Sequence, residues 1–483
     1  MLTAGPRTQR KQAVRAESAP PDLTPAQRAA RGKAARREVP RESHVTFEAR
    51  ADRPDPVSLL ESQARSRAPD LVPVRYGRMM VSPFTYDRGA ALPMASDLAT
   101  TPRSGLIVQA CGDAHLSNFG LFASPERNLI FDVNDFDETL PAPWEWDVKR
   151  LAASLEVAAR ENGFSGKDRR KILMATAGRY RQAMRTFAGQ GNLGVWYAKA
   201  DMDDLRRQFD ALLTARQRVF LDKGLAKART RDSALELAKL CRQVDGRFQI
   251  ISAPPLIVRL ADLLPGQVES AEFGPQLSNL IGRYRRTLQS DRRVLLEQFT
   301  FTDMARKVVG VGSVGTWCWI ILMLGRDGSD PLFLQVKEAQ ASVLAPFAGT
   351  SAYANEGQRV VAGQRLMQAS SDIFLGWQRT TGPDGQARDF YVRQLRDWKF
   401  SLNIDSLVPR GLRIYGELCG WTLARAHARS GDRIAIAAYL GASDVFDRAI
   451  TDFAATYADQ NERDYQALLA AVAGGRLIAE RGV

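Results

Sequence analysis

The sequence is short of histidine, with three in 483 residues: His44, His115 and His427. A two-metal phosphoesterase needs several histidine and aspartate ligands around its ions, so that reading lacks the residues to build it. Cysteine is scarce as well. The four cysteines lie at 111, 241, 318 and 419 with no CxxC pair, which supports neither a zinc ribbon nor a disulfide framework. No apolar run approaches bilayer-spanning length; the longest, around Trp317 to Leu324, is strand-sized. The start, Met1 to Gln12, lacks the apolar core of a signal peptide, and no internal repeat is visible. A reducing, cytoplasmic setting without a membrane partner is expected.

What is present is a globular composition, 45% hydrophobic and 25% charged. The net charge is +13, and the first 42 residues hold ten Lys/Arg against four Asp/Glu. Such a tail can attract nucleic acid, but no aromatic-basic module stands behind it, so a nucleic-acid partner is not expected. Residues 1–50 read as a disordered basic tail with one short helix at Pro25 to Arg37, capped by Thr24 with Pro25 at its first position.

Residues 51–165 contain Leu106 to Ala110, an apolar strand running into the loop Cys111-Gly112-Asp113-Ala114-His115-Leu116-Ser117-Asn118. Phe119 to Phe122 and Leu129 to Phe131 read as two further strands, the last delivering Asp132, Asp135 and Asp137. Trp146 to Asn162 has helical periodicity, with Leu151, Leu155 and Ala158 on one stripe and Lys149, Arg150 and Glu156 off it. Upstream, Arg78 and Arg88 sit among aromatic residues. They read either as an ordinary surface face or as partners for phosphate or a site carboxylate.

Residues 166–297 read as a helical insertion, with helices at Lys167 to Phe187, Met202 to Phe220 and Pro275 to Glu297 and a break at Ala253 to Leu256. Part of it is expected to form the acceptor pocket. Residues 298–400 read as a five-stranded antiparallel module with one helix, Tyr353 to Gln368, and a turn at residues 382–385. Residues 401–483 return to helices, Leu412 to Arg429 and Phe446 to Ala471.

Two stretches carry chemistry. Gly310-Val311-Gly312-Ser313-Val314-Gly315 lies between two strands. It offers unobstructed backbone N–H groups to phosphates, or is a plain turn. It is no dinucleotide fingerprint, because a strand follows it. The next strand ends in Val336-Lys337, an arrangement like the Gly-rich loop and strand-three lysine of protein kinases. Glu356, 19 residues on, is the expected anchor for Lys337.

The second stretch is the loop itself. Gly112 to Asn118 resembles the GDxHxxN catalytic loop of the aminoglycoside and choline kinase group, with Cys111 where that group usually has histidine. Phe131 to Asp137 resembles its metal-binding strand end. Trp146 to Ala152 resembles the segment whose Asp, here Asp147, braces the loop. The resemblance implies ATP and Mg2+ as cofactors. Asp113 is the implied base or orienting group for the acceptor hydroxyl and Asn118 and Asp135 the implied metal ligands, with Asp132 as rival for the second place and Asp137 as a secondary ligand or an exposed residue. Lys337 and Glu356 would serve the nucleotide under a cover of Gly310, Gly312, Ser313 and Gly315. His115 reads as a structural member of the loop.

The glycine loop and lysine follow the catalytic loop by about 200 residues, and Gly416 to His427 resembles the helix that normally precedes it. The expected fold class is therefore α+β: a two-lobed, circularly permuted protein kinase-like fold with a small antiparallel β lobe and a larger helical lobe. From about Arg75 to Tyr465 the chain also resembles a bacterial family of uncharacterised proteins, the domain-of-unknown-function 2252 family. Its marks are Tyr76 to Gly89, Cys111 to Gly120, Asp135 to Glu138, Trp146-Asp147, Lys149 to Leu151, and Lys307 to Thr316. The expected function is phosphotransfer from ATP to an unknown acceptor. The alternatives are a nucleotide-binding pseudokinase or scaffold, and a nucleotidyl (AMP) transferase.

Overall fold

Three segments between residues 300 and 339, the last two of them mostly apolar, form the strands Thr300–Lys307, Cys318–Leu324 and Pro331–Ala339. The structure is a computed structural model that describes residues 22–483, apart from 46, 210–217, 219–221, 227–228, 231–232, 265–272, 382–384, 396–397 and 399–401. The expected turn at residues 382–385 and the end of the expected Met202 to Phe220 helix therefore lie largely outside the described residues. The class is mixed α+β with small antiparallel sheets.

The main sheet has six strands, not the five expected. From one edge they run Gly376–Thr381, Ala387–Gln394, Pro331–Ala339, Cys318–Leu324, Thr300–Lys307 and Ile257–Arg259. The sixth, which pairs Val258 with Arg306, comes from the segment read as a helical insertion. Three residues give too little alternation to register as a strand. The single helix expected at Pro275 to Glu297 is two, Phe273–Arg285 and Ser290–Glu297. Their Tyr284, Leu288 and Leu296 bury against Trp319, Ile321, Leu334 and Val392, so this part of the insertion is one cover of the sheet.

The larger core gathers the helices Trp144–Glu161, Gly166–Ala188, Pro409–Ser430, Arg433–Leu440 and Val445–Ala473. Small residues set the closest approach. A Cβ at Gly420 would lie 2.6 Å from the Thr176 carbonyl oxygen, so only glycine lets those two helices touch. From Trp144 to Ala159 the helix Trp144–Glu161 is buried on all sides, its charged residues included. They are tolerated because each has a partner: Glu145 accepts from the Ser104 N–H at 2.7 Å, Lys149 donates to Thr101 Oγ1 at 2.8 Å, and Glu156 meets Arg160 and Arg169.

The expected disordered tail is ordered from residue 22. Residues 1–21 lie outside the described residues. Thr24 and Gln27 close a capping box on the helix Pro25–Glu38, as the Thr-Pro start predicts. This helix docks on Arg433–Leu440 through Gly32, whose Cβ would fall 2.0 Å from the Ala435 carbonyl oxygen, and through the Arg28–Asp432 ion pair at 2.8 Å. Buried His44 bonds Tyr439 at 2.8 Å. The small residues Gly32 and Ala35, which bury against the neighbouring helix, are what make this close packing possible. Among the described residues no helix is long and apolar enough to cross a membrane.

Candidate functional site

The strand Ile107–Ala110 pairs with Leu140–Pro143 and launches the 111–118 loop. Asp147, in the first turn of Trp144–Glu161, holds the loop by accepting from the Cys111 N–H at 2.6 Å and the Gly112 N–H at 2.9 Å. His427 Nε2 lies 3.1 Å from the same carboxylate. Gly112 has φ 85°, and a Cβ there would sit 2.2 Å from the Glu138 carbonyl oxygen. The turn therefore admits only glycine.

Asp113 and Asn118 both face the cavity that this loop lines. Arg150 donates through Nε to Asp113 at 2.8 Å and through Nη1 to Asp87 at 2.6 Å, which fixes the Asp113 carboxylate. Burial pushes the Asp113 carboxyl up to about 6 against the pull of Arg150. His115 stands 3.7 Å from Asp113, and burial with Arg150 nearby keeps its imidazole neutral. Asn118 Nδ2 donates to the carbonyl oxygens of Asp113 at 2.9 Å and Asp135 at 3.3 Å. Its Oδ1 has no donor among the described residues.

The strand Leu129–Val133 delivers the carboxylates, and the structure sorts them. Asp132 is not a metal-ligand candidate. It accepts two bonds from Arg425, at 2.6 and 2.7 Å, and one from the Ala369 N–H, with both side chains 1% exposed. The strand turns Asp132 into the helical core, whereas Asp135 lies two residues past the strand's end and lines the cavity. Asp137 was read as secondary or exposed. It is instead tied to Lys337, to the Tyr391 hydroxyl at 2.8 Å and to Ser313 Oγ at 3.3 Å.

Lys337 is 2% exposed and meets Asp135 at 3.3 Å as well as Asp137. Burial alone would lower its ammonium, but the two carboxylates outweigh it and hold it well above the usual lysine range. The expected Lys337–Glu356 pair does not form. Glu356 pairs with Arg359, which lies one turn along the helix Glu356–Met367. Buried Arg359 in turn donates to the carbonyl oxygens of Asp137 at 2.8 Å and Thr139 at 2.6 Å. Glu356 thus acts on the site only through Arg359, because the lysine already has two carboxylates beside it. Sequence reasoning missed Arg359 and Tyr391. Tyr391 could have been found, since the strand register sets it directly opposite Lys337.

Gly310, Gly312 and Ser313 line the same cavity, and Gly315 ends their loop; Gly310 and Gly315 have φ 67° and 89°. The loop is held from outside. Arg78 donates to the Gly310 carbonyl at 2.6 Å, Arg67 to that of Val314 at 2.5 Å, and the Ala68 N–H to that of Gly315 at 2.8 Å. Pinning the carbonyls outward leaves the N–H groups of Gly310 to Ser313 without an acceptor among the described residues. The cavity holds about 630 Å³, within the range of small-molecule sites. No described residue of 160–295 lines it, contrary to the expected acceptor pocket. Its outer wall comes from residues 62–92.

Among the described residues no cluster of three or more His, Cys, Asp or Glu could hold a metal ion alone. Mg2+ fits this donor set nonetheless, because it keeps several waters and takes only one or two carboxylates plus substrate phosphates. Asp135 and the bare Asn118 Oδ1 are the residues that would hold it.

Glu138 carries a pH signature. Burial pushes its carboxyl up to about 7, although Oε2 accepts from the Val343 N–H at 2.7 Å. The folded value lies above the unfolded one, so the folded chain holds the extra proton at low pH. Stability from this group is then lost as pH rises toward 7. Glu138→Gln is expected to flatten that decline, raising Tm at pH 8 by about 1 °C per kcal/mol recovered. Thermal melts of both proteins from pH 5 to 8 check this; parallel curves would exclude Glu138 as the source.

A family model described as "Uncharacterized protein conserved in bacteria (DUF2252)" matches residues 67–471. No curated protein and no solved structure matches the chain.

Proposed function

Because the chain belongs to the DUF2252 family, which is described by its conservation in bacteria rather than by a reaction, we propose from its own side chains that it is an ATP- and Mg2+-dependent phosphotransferase. One observation carries the reading. Lys337 closes on Asp135 and Asp137 across 200 residues of chain, and the glycine loop and Asp113 line the same cavity. This supports a two-lobed, kinase-like architecture in circularly permuted order, in which the six-stranded sheet covers a loop carried by the helical part.

Asp113, held by Arg150, takes the proton from the acceptor hydroxyl. The acceptor oxygen then forms a bond to the γ-phosphorus as the bond from that phosphorus to the β,γ-bridging oxygen breaks, and ADP leaves. Lys337 swings its ammonium from the two aspartates toward the nucleotide phosphates. The N–H groups of Gly310, Gly312 and Ser313 cover those phosphates. Asn118 and Asp135 would hold Mg2+, which would supply charge neutralisation to the nucleotide phosphates. Asp137 stays on Tyr391 and Ser313 and keeps the glycine loop down.

The test is nucleotide-dependent stabilisation. ATP with Mg2+ at 100 times its Kd is expected to stabilise the chain by about 2.7 kcal/mol, and Lys337→Ala to remove most of that increment relative to its own nucleotide-free melt. No rise in Tm for the unaltered chain sinks the proposal. ATP labelled at the γ or the α phosphate then separates phosphoryl from nucleotidyl transfer. Binding without any labelled product leaves a scaffold.

A further inference from the structure

Several buried arginines elsewhere in this chain close on carboxylates: Arg53 on Asp97 and Asp464, Arg150 on Asp87 and Asp113, Arg181 on Asp447, Arg425 on Asp132; Arg433 instead spends its donors on the carbonyl oxygens of Phe187 and Gln190 and on Asn192. Three arginines on the outer wall of the cavity close on no carboxylate. Arg67, Arg75 and Arg88 all line it, and none has a carboxylate within 4 Å among the described residues.

Arg75 is 0% exposed. Its Nη2 donates to Gln63 at 2.8 Å and to the Gly89 carbonyl at 3.1 Å, while Nε and Nη1 are buried without a partner. Arg67 spends Nη1 on the Val314 carbonyl and leaves Nε buried and bare. Arg88 makes no hydrogen bond to any described group, and its Nε is buried and bare as well. Its nearest opposite charges are the Asp113 and Asp87 carboxylates, and its own carbonyl oxygen would lie 3.1 Å from a Cβ at Gly312. Arg67 thus sits at the glycine loop and Arg88 faces the candidate base, with Arg75 on the same cavity wall.

Guanidinium stays charged at any physiological pH, and burying that charge without a counter-ion is costly. A planar fork of N–H donors fits a phosphate or carboxylate and little else. We propose that Arg67, Arg75 and Arg88 form a second anion seat in this cavity, beside Asp113, which receives a phosphate group already present on the acceptor. The inference rests on the phosphotransferase reading of the same cavity and names its substrate class as a phosphorylated hydroxyl compound. The glycine loop and Lys337 already provide for the nucleotide's own phosphates, so the arginines remain for a different one.

The probe is inorganic phosphate, titrated calorimetrically into the full chain with and without a saturating non-hydrolysable ATP analogue and Mg2+. Phosphate is expected to bind in both conditions and acetate to bind more weakly. Arg88→Gln should weaken phosphate by about tenfold or more, with Arg88→Lys recovering part of it, since a charge-assisted bond is worth roughly 1.5–3 kcal/mol. Affinity for the ATP analogue should stay within about twofold in both variants, because Arg88 serves the other anion. Phosphate binding abolished by the analogue would assign these arginines to the nucleotide and overturn the proposal, as would binding indifferent to Arg88. If Arg88→Gln does not fold, the competition measurement on the unaltered chain decides alone. Nucleotide turnover without phosphate binding removes the seat but leaves the phosphotransferase; phosphate binding through Arg88 without nucleotide binding does the reverse.

Discussion

Replacing Asp113 with asparagine is expected to cut label transfer from ATP by about 10²–10⁴-fold while leaving ATP affinity nearly unchanged. The substitution keeps the size of the side chain, and its amide oxygen can still accept from Arg150 Nε, which lies 2.8 Å from Oδ1. Arg150 also keeps its bonds to Asp87, so the fold around the loop should survive. What is lost is the proton acceptor. Single-turnover transfer, measured beside nucleotide-dependent stabilisation, separates chemistry from binding. Transfer within tenfold of the unaltered chain would show that Asp113 does not take the proton.

The second large effect divides two aspartates three residues apart. Asp132→Asn leaves the Arg425 guanidinium buried without its anion, where both side chains are 1% exposed. Breaking one side of such a pair costs about 3–5 kcal/mol. For a chain of this size that corresponds to a fall in Tm of roughly 3–5 °C. Asp135→Asn touches a side chain 35% exposed at the cavity and should change the nucleotide-free Tm little. It should instead raise the Mg2+ concentration needed for half-maximal stabilisation by ATP by about tenfold or more, as loss of a ligand does. Melting curves over a Mg2+ series check both variants. The opposite pattern would return Asp132 to the metal site and remove Asp135.

Local chemistry was legible in the sequence, while partner choice was not. The Thr24-Pro25 start, the strand Pro331–Ala339 and the long helices at 409–430 and 445–473 follow from caps, alternation and periodicity, and all lie within a few residues of where those signals put them. The loop of Asp113 and Asn118 was readable because all its fixed positions, and the segment carrying its brace Asp147, match a short motif. Glu356 was misassigned because helical spacing set Arg359 nearer to it than any strand residue. Asp132 and Asp135 could not be ranked, since the choice depends on Arg425, 293 residues away. The wall of arginines was least visible of all. Arg88 was flagged by its neighbours, but that Arg67 and Arg75 lack acid partners is a fact of tertiary packing, not of composition.

The brace on the catalytic loop has a consequence for the chain as it is made. Asp147 meets His427, and Asp132 meets Arg425, so the loop's two supports come from the last quarter of the polypeptide. A ribosome emits residues at about 5–20 per second. The loop therefore waits on the order of 15–60 seconds, with its acids exposed, until the helix that steadies them has been translated. A nascent chain cut short before that helix would carry every acidic group of the cavity but lack the partners that fix Asp147 and Asp132 from behind.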